Sequence, residues 1–214
     1  MKIGVTAHIS RVRQADRLIR DVRADAISVD RGYYGPQINH HRTWARMAEI
    51  TADNEWAVVL EDDALPCNDF RSQADAALST LGVEAGLVSF YMGRLRPLHW
   101  QERVGQAVAR ADVMGASWIV GDAVLHGVAI AMRGSMIHDM LGEVTKDIDT
   151  PIDEAVTRWC RKSYVPCWYS WPSIVEHADG PTVVNHRDGM KRESGRVAWR
   201  FGERSDWTER SVKL

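Results

Sequence analysis

The sequence predicts an α/β protein: one domain on a Rossmann-like, mostly parallel sheet, with helices on both faces and a small antiparallel addition. Three observations predict it. Strand-like and helix-like segments alternate through the first 93 residues. "WAVVLE", residues 56–61, is almost continuously apolar, as a central parallel strand covered on both faces would be. The 214 residues are 45% hydrophobic and 26% charged, an ordinary soluble composition and enough chain for one substantial core.

The elements follow in order. "KIGVTAHI" is rich in β-branched residues and alternates, a first strand. "SRVRQADRLIRDVRA" spaces Val12, Ala15, Leu18, Ile19 and Val22 as one helical face, with Ser10 as N-cap. "DAISVD" is a second strand, and "RGYYGPQINHH", with two glycines and a proline, is expected to be loop. "RTWARMAEITAD" is helix, "WAVVLED" strand, "FRSQADAALSTL" helix and "GLVSFYMG" strand. "ERVGQAVARADV" suits helix or strand, and "ASWIVGDAVLHGVAIAMR" holds two β-like runs, expected as antiparallel additions. "RGSMIHDMLGEV" and "TPIDEAVTRWCRKS" are helices, the second opened by Thr150 as N-cap, Pro151, Asp153 and Glu154. "YVPCWYSWPSIVEH" is an aromatic loop leading into a short strand. The tail from Gly180 is expected to be an irregular wrap. No internal repeat or linker divides the chain, so one domain is expected over 1–214.

No apolar run approaches a membrane span, and "MKIGVTAHIS" lacks the apolar core and cleavage site of a signal peptide. Three cysteines, Cys67, Cys160 and Cys167, have no metal-type spacing, and an odd count argues against a disulfide framework. A reducing, cytoplasmic setting is expected. The net charge of −2 hides a pattern. Residues 1–46 carry nine Lys and Arg against four Asp and Glu, and residues 186–214 eight against five, leaving ten against twenty in the middle. Solvated faces explain this pattern, and so would basic ends beside a polyanion with an acidic middle holding a cation.

Glu61, Asp62 and Asp63 close the apolar run 56–60. Adjacent carboxylates repel, and near an apolar interior they are costly unless something positive compensates them. In open α/β sheets, ligands bind beyond the carboxyl ends of the strands. Two carboxylates there suit Mg2+ or Mn2+ bridging to substrate phosphates, here a nucleotide diphosphate. A capped turn with solvated acids is the plainer alternative.

"WAVVLEDDALP" resembles the hallmark of glycosyltransferase family 25 and its relatives, enzymes of the GT-A fold. "GPQINHHRTWARMAE" is similar to that family's upstream segment, with Asn39-His40 where Ser-His is usual. "HGVAIAMR", "TPIDEAVTRW" and "PSIVEH" resemble later segments, in the right order, so that the likeness spans residues 30–177. The chain is also similar in style to compact phage-encoded glycosyltransferases.

The resemblance implies a metal-dependent hexosyltransferase moving a sugar from a nucleotide diphosphate sugar, a UDP-sugar foremost, to a hydroxyl on a glycan, a virion protein or a modified DNA base. It divides the chain into a nucleotide-sugar half (1–93), an acceptor half (94–185) and a basic tail (186–214). Asp63 and Asp62 would hold Mn2+ or Mg2+, with His177 or His186 completing the shell. Glu61 and Asp62 would contact ribose or sugar. Thr6, Ala7, His8 and Asp30 end the first two strands near the nucleotide, and Arg11 or Arg13 would meet the diphosphate. Asp153 is the expected base for the acceptor proton, with Glu154 as fallback, although the helix macrodipole also favours acids there. Inversion at the sugar carbon is implied by resemblance. Trp168, Tyr169 and Trp171 are candidates for stacking on sugar or base.

Two other classes share the strand-end acids: a Mg2+-dependent enzyme transferring or cleaving phosphate, and an inactive transferase-like binding module. No GxxxxGK[ST] loop is present, and no zinc-finger or RNA-binding signature accompanies the basic ends.

Overall fold

The computed structural model describes residues 1–180 and 195–214. Its centre is an eight-stranded mixed sheet in the order β10-β6-β8-β5-β7-β3-β1-β2. The strands are β1 (Lys2–His8), β2 (Ala26–Asp30), β3 (Trp56–Glu61), β5 (Leu87–Ser89), β6 (Trp118–Gly121), β7 (Ala129–Arg133), β8 (Cys167–Ser170) and β10 (Ser211–Lys213). Strands β4 (Ala64–Pro66) and β9 (Val175–His177) pair separately, antiparallel.

Four of the seven neighbouring pairs in the main sheet are parallel. β1 lies between β2 and β3, parallel to both. That trio is the expected Rossmann-like half. β7 then enters antiparallel between β3 and β5. The expected "addition" therefore occupies the middle of the sheet, and β3 has one parallel and one antiparallel neighbour.

Two apolar clusters line the two faces. On one side pack α2 (Gly35–Ile50), α4 (Gln101–Met114), α5 (Gly134–Val144) and α6 (Ile152–Ser163), through residues such as Trp44, Val104, Met140 and Trp159. On the other pack α1 (Val12–Val22) and α3 (Phe70–Ser79), through Leu18, Val22, Phe70 and Leu78. Alternate residues of β3 feed each cluster: Ala57 and Val59 one, Val58 and Leu60 the other. This is why the run reads as continuously apolar.

Several expectations change. Ser10 does not cap α1; it lies in a 3-10 turn (Ile9–Arg11), and Arg11 stands at the helix N-cap. "GPQINHH" is helical, not loop. Pro36 sits in the first turn of α2, where its missing N–H costs nothing, and the preceding loop is tied to Asp30. Pro151 rather than Thr150 stands at the N-cap of α6; the Thr150 hydroxyl turns back to Asp147. "CWYS" is a full strand inside the sheet. The tail supplies β10, parallel to β6.

The start of α5 shows how tightly the layers meet. The Gly134 and Ser135 amides donate to the carbonyls of Glu55 and Asp53. A Cβ on Gly134 would stand 2.1 Å from the Ala52 carbonyl oxygen, which is backbone and cannot turn aside. Gly134→Ala is expected to destabilise the protein by about 1–3 kcal/mol, read as a lower melting temperature in a thermal scan.

Candidate active site

The carboxyl ends of β1 and β3 lie side by side, with Thr6 opposite Glu61. The 3-10 turn after β1 brings Arg11 back over the end of β3. One guanidinium nitrogen, Nη1, donates to Asp62 Oδ1 at 2.9 Å and to Asp63 Oδ2 at 2.5 Å. The His8 amide donates to Asp62 Oδ2 at 2.7 Å. Both acids are only 5% exposed.

The small sheet supplies a third partner. β9 pairs with β4 so that His177 faces Ala64, and the Ala178 amide bonds to the Asp63 carbonyl. His177 Nε2 comes to 3.4 Å from Asp63 Oδ2. The Asp179 amide donates to His177 Nδ1 at 2.9 Å, which assigns the proton of the neutral ring to Nε2. His177 thus presents an N–H to Asp63, in place of the lone pair expected of a metal ligand.

The two acids differ electrostatically. Burial pushes Asp62 upward and the Asp63 charge adds to it, against the His8 amide and Arg11. Asp63 meets the same burial, yet its hydrogen bond with His177, together with the Arg11 charge, holds it below the usual carboxylate range. Its Oδ1 is buried and has no hydrogen-bond partner among the described residues. Such an oxygen fits a hard divalent cation, which would take the rest of its shell from phosphate and water. Among the described residues no three His, Cys, Asp or Glu side chains are gathered for a metal. The fit is therefore to Asp63 alone. His186 lies outside the described residues.

Glu61 is half-buried and bonds through Oε1 to His40 Nε2 at 2.9 Å. The neighbouring Asn39 is a staple: its amide nitrogen donates to Thr6 Oγ1 and to the carbonyls of Ala7 and Ser28. Asn at this position joins the ends of β1 and β2, a role Ser is too short to fill. Asp30 is likewise occupied. Oδ1 accepts the amides of Gly32, Tyr33 and Tyr34 and Oδ2 that of Gly35, at 2.9–3.1 Å, so most of its acceptor capacity is spent on the loop before α2.

Asp153 reaches the same edge from the start of α6. Gly127 allows it: a Cβ there would lie 2.7 Å from Glu61 Oε1 and 3.0 Å from Ile152 Cγ2. Burial, then the Glu61 charge, push the Asp153 carboxyl up to about 7. Glu154 is exposed and donates only its amide, to Asp153 Oδ1. Arg13 is exposed on α1.

Sequence reasoning gave no role to His126 or Tyr91. Tyr91 stacks edge-on against His126, with centroids 5.0 Å apart, and lies 6.2 Å from His177. Burial, with His177 adding, pushes the His126 ring down to about 3. Of the aromatic trio expected to stack on ligand, two members are in the core and Trp168 is half-buried. Tyr169 and Trp171 are buried; the Tyr169 hydroxyl donates to the Ala123 carbonyl and the Trp171 indole to Asp112. Trp168 packs edge-on against Trp118.

No protein-family model matches the chain, and no curated protein does. Among solved structures, a crystal structure of galactosyltransferase LgtC in complex with donor and acceptor sugar analogues is similar over 88% of this chain and 90% of that one, at 15% identity and a TM-score of 0.43.

A raised carboxyl has a stability signature. The Asp153 acid holds its proton in the folded state up to about pH 7. The unfolded chain gives that proton up near pH 4, so this group costs stability progressively as pH rises between those values. Asp153→Asn keeps the Glu154 amide bond and removes the cost. It is expected to melt about 3 °C or more above the parent at pH 8, with the gap closing toward pH 4, by calorimetry across pH.

Proposed function

We propose that this protein is a glycosyltransferase, moving a sugar from a nucleotide diphosphate sugar, a UDP-sugar foremost, to a hydroxyl-bearing acceptor. One observation carries the reading: a single strand-end edge holds carboxylates in opposed states. Asp63 is kept ionised beside Arg11 and His177, while Asp153 sits at about 7. An edge of that kind offers positive charge for a departing diphosphate and a base for an incoming hydroxyl. The family 25 resemblance of "WAVVLEDDALP" supports the same assignment.

In this reading the donor diphosphate lies against Arg11 and the His8 amide region, with ribose and sugar hydroxyls toward Asp62 and Glu61. A Mn2+ or Mg2+ at Asp63 Oδ1 would supply Lewis-acid stabilisation of the leaving diphosphate. His177 keeps Asp63 oriented through its N–H. His40 fixes Glu61, and the Glu61 charge raises the basicity of Asp153. Asp153 takes the acceptor proton as the hydroxyl attacks the anomeric carbon from the face opposite the leaving group, inverting the configuration.

The reading is tested by incubating purified protein with UDP-glucose, UDP-galactose, UDP-N-acetylglucosamine and GDP-mannose, with Mn2+ or chelator, and assaying free nucleoside diphosphate. Metal-dependent release from one donor, lost in Asp63→Ala, is expected. If calorimetry detects no nucleotide binding with or without metal, the reading fails. With a donor and acceptor in hand, kcat should rise with pH through about 7 as Asp153 ionises. Asp153→Asn should lower kcat by about 10^2–10^4 with donor affinity kept. Glu61→Gln should move that limb to lower pH, because it removes a charge that holds Asp153 up.

A further inference from the structure

Arg11 stands where the two acids most need a cation. Its single Nη1 is shared by Asp62 Oδ1 and Asp63 Oδ2, and its side chain is 15% exposed. The turn after β1 fixes its backbone, because the His8 amide is bonded to Asp62 and the His8 ring to Ser10. The pairing is incomplete in one respect. Arg11 reaches Asp63 through Oδ2 and leaves Oδ1 buried and unpartnered. A second positive group thus has a lone pair waiting, beside a position already filled.

We propose that Arg11 is a resident counter-cation that competes with a divalent metal at Asp63, and that metal uptake moves its guanidinium off the acids. This rests on the reading that a cation binds at Asp63. An ion held by Oδ1 would place two positive charges together in a partly desolvated site. Repulsion falls on the partner able to leave, a long side chain on a turn. The released guanidinium then has a new anion to meet when a diphosphate arrives with the metal. The acids are consequently never bare. Arg11 covers them in the free protein; once the metal is bound it would cover Asp63, while the His8 amide stays on Asp62.

The test needs no nucleotide sugar, so its outcome is separate from that of the transferase reading. Mn2+ is titrated into metal-stripped protein, with binding followed by calorimetry and by the paramagnetic resonance signal of free Mn2+. Arg11→Met is expected to bind Mn2+ about tenfold tighter or more than the parent, a change of about 1.4 kcal/mol. Arg11→Lys, which keeps a charge but lacks the planar fork, should fall between them. The gain should vanish in Arg11→Met/Asp63→Asn. Thermal melting gives a second readout: Mn2+ should raise the melting temperature of Arg11→Met more than that of the parent. If Arg11→Met does not fold in chelator, Mn2+ should restore folding. Equal or weaker Mn2+ binding in Arg11→Met, a gain that survives Asp63→Asn, or no refolding on adding Mn2+ would overturn the proposal.

Discussion

Two adjacent carboxylates, each 5% exposed, are the constraint that organises this molecule. Buried anions side by side are tolerated only where the fold delivers compensating charge and donors. Here each comes from a different part of the chain. The turn after β1 gives Arg11 and the His8 amide, and β9 gives His177. The parallel register of β1 on β3 and the antiparallel register of β4 on β9 are therefore electrostatic as well as structural arrangements. A slip of one residue in either would turn the compensating side chain to the wrong face.

The second half of the edge is built on the same logic with the opposite sign. Asp153 has no cation beside it among the described residues. It has Glu61, and Gly127 lets Glu61 and the start of α6 come together. One carboxyl, Asp63, is held ionised and another, Asp153, is held ready to protonate, from elements far apart in sequence. The separation of roles follows from what lies beside each acid, since the residue types are nearly the same.

Local signals in the sequence were read well. β1, α1, β2, β3 and α3 emerge from period and composition, because each buries one face or both in a simple way. The acids at the end of β3 were legible for the same reason. What depended on distant contacts was not. β7 enters the centre of the sheet, and "CWYS" becomes a strand, only through pairings made far along the chain. Gly35 and Pro36 read as loop residues, but Asp30 fastens the loop before them and the helix starts there. In the site, Arg11 was one of two arginines on offer, and only the turn geometry decides between it and Arg13. In the tryptophan-rich segment Tyr169 and Trp171 are core, because large aromatics serve both ends equally well in a sequence. His177 was named as a candidate metal ligand, and the hydrogen bond its ring accepts from the Asp179 amide two residues on is one that no residue count shows.

Arginines also find a use at the margins of the sheet. At one margin, Arg46 from α2 donates to the Ile27 carbonyl of β2. At the other, Arg110 and Arg103 from α4 donate to the carbonyls of Lys213 and Leu214, at and just beyond the end of β10. A strand at the rim of a sheet offers unpaired carbonyls to any passing chain, and short strands with arginine-capped carbonyls offer few. The guanidinium groups at these rims occupy backbone acceptors that would otherwise be open to another strand.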